Sequence, residues 1–126
     1  MASITVKSLI KYNGQSVIDN TVTHTVQNVT VLDEDIADPS TNLEIALAID
    51  VSALKHFSMT ADQTLTVYTN EAGTGSPQET FTLTAGLPVI WNEGDAAIFA
   101  GDVTAIFVTN ASGAATVLNL VVGTNL

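Results

Sequence analysis

Apolar and polar residues alternate with a period of two along most of the chain. Ile4, Val6, Ile10 and Tyr12 share one parity and Lys7 and Lys11 take the other, which predicts a half-buried strand followed by an Asn13-Gly14 turn. From about Val17 to Leu32 the apolar parity changes. Val22, His24 and Val26 lie on one side and Val29 and Val31 on the other, so a β-bulge near Gln27-Asn28 is expected to reset the phase. Asp33 to Asn42 (DEDIADPSTN) reads as a loop. Leu43, Ile45, Leu47, Ile49 and Val51 then form the cleanest alternation in the chain, and Ser52 to Phe57 has room for one helical turn.

Leu65 and Val67 alternate with threonines, as do Phe81 and Leu83. The loop Asn70 to Pro77 (NEAGTGSP) between them predicts a hairpin. Leu87, Val89 and Trp91 form a further strand before the NEGD turn at 92–95. The last two strands, Val103–Thr109 and Ala115–Val122, flank an Asn110–Gly113 turn (NASG) and read as a terminal hairpin. Here alternation fails: Val103, Ala105 and Phe107 oppose Ile106 and Val108, and Leu118 and Leu120 oppose Val117 and Val121. A strand apolar on both faces is covered on both. If the hairpin lies in one sheet of a sandwich, its second face needs a loop or another subunit. Ile106, Val108, Leu118 and Leu120 are therefore candidate subunit-interface residues, and a homo-oligomer is expected.

Seven to nine short strands with turns every 8–15 residues predict an all-β fold: an antiparallel β-sandwich, jelly-roll-like, as a single domain over residues 1–126. Residues 1–12 form an N-terminal arm or an edge strand. Their apolar Ile4, Val6, Leu9 and Ile10 are candidate contacts to an assembly partner or a neighbouring subunit.

Composition narrows the function. Of 126 residues, 46% are hydrophobic and 13% charged, with 13 acids against three lysines and a net charge of −10. Arginine is absent. Nucleic-acid binding needs cations that displace counterions from phosphate, and arginine for guanine edges. Neither nucleic acid nor an anionic membrane is an expected partner. Without cysteine the fold relies on packing and pairing alone. The first twelve residues lack the apolar core of a signal peptide, and no run reaches the ~18 apolar residues of a spanning helix.

Candidate chemistry is sparse. His24 and His56, the two histidines, have no HxH, HxxxH or HExxH spacing, so they read as structural rather than as metal ligands. Asp33, Glu34, Asp35 and Asp38 lack the order of a calcium loop. Glu93 and Asp95 beside Trp91 form a carboxylate pair without other clustered polar groups. No GxSxG elbow occurs, and Gly73 and Gly75 belong to a hairpin loop. The sequons at Asn28 and Asn110 read as chance matches. Threonine rows at 21, 23 and 25, at 64 and 66, and at 80, 82 and 84 suit an exposed pleated face, with glycan or ice binding as the sharper alternative. The expectation is a non-enzyme with no catalytic residue, cofactor or metal.

Phe81 to Trp91 (FTLTAGLPVIW) and Asp102 to Gly123 (DVTAIFVTNASGAATVLNLVVG) resemble stretches of tailed-bacteriophage capsid decoration, or cement, proteins and related small β-rich virion proteins. The resemblance implies a structural virion protein that binds and stabilises the capsid exterior, made in the host bacterial cytoplasm. It implies the major capsid protein as partner, with a homotrimer favoured and no catalytic residues. The alternative is a carbohydrate- or surface-binding β-sandwich module of a phage tail or fibre.

Overall fold

The computed structural model describes residues 2–125; the end residues of the expected domain, 1 and 126, lie outside them. Among the described residues the chain forms ten strands: β1 (Ala2–Tyr12), β2 (Gln15–Val26), β3 (Asn28–Ile36), β4 (Ser40–Ile49), β5 (Leu54–Thr60), β6 (Leu65–Thr69), β7 (Thr80–Leu83), β8 (Val89–Asn92), β9 (Val103–Asn110) and β10 (Thr116–Thr124). The helical turn expected within 52–57 is a 3-10 turn at Val51–Ala53, N-capped by the Asp50 carboxylate, which accepts from Ser52 N at 3.0 Å.

β3 to β10 make two four-stranded antiparallel sheets in the orders β3-β10-β5-β8 and β4-β9-β6-β7. From β3 to β6, and again from β7 to β10, each successive strand changes sheet. This eight-stranded weave is a jelly roll. The sandwich and its single core thus agree with the alternation in the sequence.

The weave corrects two readings. β9 and β10 are not a hairpin. β9 pairs with β4 and β6, while β10 pairs with β3 and β5 in the opposite sheet. Ile106, Val108, Leu118 and Leu120 therefore face one another across a single core, at 3%, 0%, 0% and 1% exposure. They are interior residues of one chain and cannot form a subunit interface. The phase change at Gln27-Asn28 is likewise no bulge inside a strand. It is a corner, where β2, paired with β1, gives way to β3, paired with β10. Charged Asp33, Glu34 and Asp35 lie within β3, so the expected acidic loop shrinks to residues 37–39.

At one end of the core Phe99 meets Phe57 and Phe81 edge-on, with ring centroids 5.1 and 6.1 Å apart. At the other end, fully buried Asn110 closes the crossing between the sheets. Its Nδ2 donates to the carbonyls of Ala114 (3.0 Å) and Ile36 (3.4 Å), and its Oδ1 accepts from Ser112 N (3.1 Å) and Oγ (2.7 Å). Asn110→Ala strands several of these groups, each costing about 1–3 kcal/mol when left unpaired. A drop in unfolding free energy of that order is expected in urea titration. The same burial keeps a glycan off the Asn110 sequon in the folded chain.

Candidate functional site

β1 and β2 stand apart from the sandwich as a two-stranded ribbon turned by Asn13 and Gly14, whose φ angles of 50° and 78° suit an Asn-Gly turn. The expected N-terminal arm is thus a ribbon of both strands, 2–26, rather than residues 1–12 alone. Cross-strand register places Ile4 opposite His24, Val6 opposite Val22 and Ile10 opposite Ile18. Those pairs share one face, and Val26, opposite Ala2, extends it. The other face carries Thr21, Thr23, Thr25 and Lys7, with Leu9 among them.

Only the root of this apolar face meets the sandwich. Ile4 and Val6 are half-buried and Val26 is fully buried, whereas Ile10, Ile18 and Val22 are 54%, 39% and 42% exposed. Leu9 (46%) and Tyr12 (71%) are also open to solvent. The four residues singled out from the sequence therefore divide. Ile4 and Val6 anchor the arm, while Leu9 and Ile10 lie on its free part.

The root sits on the outer face of the β3-β10-β5-β8 sheet, along the register row Gly123–His56–Asn92. Gly123 admits it. A Cβ there would stand 2.6 Å from Ile4 Cδ1 and 3.1 Å from Val26 Cγ1. Two hydrogen bonds from one backbone N–H reinforce the corner: Gln27 N donates to Thr124 O at 3.1 Å and to the Asn125 side-chain Oδ1 at 2.7 Å.

Beside Gly123 the two histidines meet. His24 Nε2 donates to Asn92 Oδ1 at 2.7 Å, and His56 Nδ1 donates to the same oxygen at 3.1 Å. An amide oxygen only accepts, so both ring nitrogens carry protons. His56 Nε2 is then free to accept from Ser58 Oγ at 3.1 Å. The rings are 5.8 Å apart. His56 is 2% exposed, and burial, opposed in part by the Asn92 bond and assisted by neighbouring His24, holds its pKa below the usual 6.5. Among the described residues no group of three or more His, Cys, Asp or Glu is placed to hold a metal ion. This cluster is a joint that fastens β2 to β5 and β8.

Beyond the joint the arm and the sheet diverge. Between them opens a cleft of about 290 Å³, roofed by Ile4, Val6 and Lys7 and floored by Ser58, Ile90 and Val121. It runs on, through Ser58, Ile90 and Val121, to a second hollow edged by Pro88 and Asn119.

The other sequence candidates are scattered or employed. Glu93 pairs with Lys55, and Asp95 Oδ2 accepts from Asn92 N at 2.8 Å to shape the turn. Strand alternation sends Glu34 inward and Asp33 and Asp35 outward, and Asp38 Oδ1 accepts from Gly113 N at 3.0 Å. Trp91 Nε1 donates to Ala96 O at 2.9 Å. The histidine joint was not legible from spacing, because its members lie on three strands up to 68 residues apart.

Gly123→Val is expected to overpack the root by about 1–3 kcal/mol. Amide exchange at Ile4–Val6 and His24–Val26 should quicken about 5- to 150-fold, since 1.4 kcal/mol is a factor of ten. Exchange at Leu118–Leu120 should hold steady. Equal acceleration throughout would show that root and core open together.

No family model matches the chain, and no curated protein matches it. Among solved structures it is similar to a chain described under "Bacillus endospore appendages form a novel family of disulfide-linked pili", with 13% identity over 85% of this chain and 99% of that one, at a TM-score of 0.32.

Proposed function

We propose that this chain is a structural subunit of a proteinaceous assembly, with no catalytic role, and that its arm joins it to a neighbour in that assembly. The observation that carries this reading is the ribbon's apolar face, anchored at its root and open to solvent at Ile10, Ile18 and Val22. A lone two-stranded ribbon is marginal in water and gains stability when its apolar face is covered. Exposed apolar surface of this kind is used for association. The capsid exterior of a tailed phage is the first setting to test. The C-terminal resemblance to decoration proteins favours it, and a net charge of −10 suits a surface away from packaged DNA. The major capsid protein would then be one of the chain's partners.

Mass spectrometry of purified particles from cells carrying the gene is the direct test, followed by cryo-electron microscopy of particles lacking it. The reading requires the chain in the particle and a missing external density on deletion. Recovery of the chain only as free protein would overturn it.

A carbohydrate-binding module of a tail or fibre is the second reading. It is favoured by the row Thr82–Thr66–Thr109 across β7, β6 and β9, on the outward face of the other sheet. The Thr109 hydroxyl already accepts from Asn42 N at 3.1 Å, which leaves less of the row for a ligand. Jelly rolls serve both capsids and lectins, so the fold does not choose. Glycan-array binding lost in Thr66→Val and Thr82→Val would favour the module.

A further inference from the structure

The partition of charge between arm and body points to what occupies the cleft. Residues 1–26 hold two lysines (Lys7, Lys11) and one acid (Asp19), whereas residues 27–126 hold one lysine (Lys55) and twelve acids. The arm is therefore net +1 and the body net −11. Lys55 is already paired with Glu93. Two copies of this chain repel body to body. The arm is the one large element whose approach to another copy's body is electrostatically favourable.

The apolar surfaces match as well. The open part of the arm offers Ile10, Ile18 and Val22, and the outer face of the β3-β10-β5-β8 sheet offers Val31 (63% exposed), Ile90 (44%) and Val117 (39%). Register puts Asp33 and Asp35 on this same sheet face, across from Asn119 and Val117 of β10. An arm lying here has carboxylates within its surroundings and lysines on its outward face, whose long stems can bend toward them. The cleft beside Ile90 and Val121 opens onto this face and is roofed by the resident arm's own root, so an incoming ribbon would extend an existing layer.

We infer that the free end of the arm of one copy docks on the outer face of the β3-β10-β5-β8 sheet of a second copy, entering the cleft beside Ile90. This deepens the structural-subunit reading by naming a second copy of the chain as the arm's partner. A single arm-to-body contact of this kind is heterologous, so it propagates copies into a ring or a row.

The cysteine-free sequence makes the test clean. Full-length Ile10→Cys and Ile90→Cys variants, each with one thiol at an exposed position, are mixed and mildly oxidised. The mixed disulfide, at twice the 13.1 kDa of one chain, is expected to exceed either same-variant dimer several-fold. Adding Lys7→Glu and Lys11→Glu to the Ile10→Cys chain should reduce its yield several-fold while circular dichroism stays unchanged. Mixed product no greater than random collision gives, or insensitive to the lysine reversals, overturns the inference, as does exclusive cross-linking of the Ile10→Cys arm to a different protein in particles. The particle test of the broader reading is separate. A chain found in particles without arm-to-body cross-links would sink this inference alone, and cross-links in a chain never found in particles would sink the capsid setting alone.

Discussion

Leu120→Ala should lower the unfolding free energy by about 2–5 kcal/mol, and Val108→Asp should prevent folding. Leu120 is 1% exposed on the central strand of one sheet, and Val108 is 0% exposed on a central strand of the other. Truncating a buried leucine loses its transfer energy and leaves a cavity. An aspartate at 108 must either bury an unpaired charge or take up a proton, at a cost of several kcal/mol. A domain of this size has only about 5–15 kcal/mol to lose. Urea titration of Leu120→Ala and circular dichroism of Val108→Asp provide the measurements. The weave predicts that Leu120→Ala leaves the mass of the remaining folded species unchanged in sedimentation. A folded Val108→Asp chain of reduced mass would instead return these residues to a subunit contact.

Acid should loosen the arm before it unfolds the sandwich. In the unfolded chain His56 titrates near 6.5, and in the fold its pKa lies lower. Between those values the unfolded or undocked state binds more protons. The joint's contribution is therefore fully present above about pH 6.5 and is lost as pH falls through the folded value. One group sets a ceiling of about 1.4 kcal/mol per pH unit. The groups around His56 are His24 from β2, Lys7 at the cleft from β1, Asn92 from β8, uncharged Gly123 from β10 and Ser58 from β5 itself. None is a carboxylate that would favour the imidazolium. Amide exchange in β1 and β2 should therefore rise from pH 7.5 to pH 5, with β9 and β10 protected. His56→Gln should flatten that pH response, and an unaltered response would move its origin elsewhere.

Asn92 holds the joint together, since one oxygen serves both rings. The sequence placed it in a turn, which it does begin: Asp95 N donates to Asn92 O at 2.9 Å. Its second role depends on β8 lying beside β5 and on β2 folding back over both, and no local pattern encodes that.

The alternation of Leu43 to Val51 predicted β4 well, because a strand with one buried face shows a period of two whatever its neighbours are. The Asn13-Gly14 turn was equally legible, because positive φ at both positions is a local demand. Net charge, the lack of cysteine and the all-β class are likewise properties of the sequence itself. Beyond the local pairs β1-β2 and β6-β7, which strands pair was decided only in three dimensions. The segment Asn110–Gly113 carries every mark of a hairpin turn, yet buried Asn110 sends the chain across the core to the other sheet. That crossing turns Ile106, Val108, Leu118 and Leu120 from a suspected two-faced hairpin into a single interior. The same holds for the arm: periodicity identified an apolar stripe from Ile4 to Ile10, but the close approach at Gly123 decides that Ile4 is covered and Ile10 is not. Parity along a strand is a short-range property of the backbone, whereas cover for each face comes from strands distant in sequence, and only their packing assigns it.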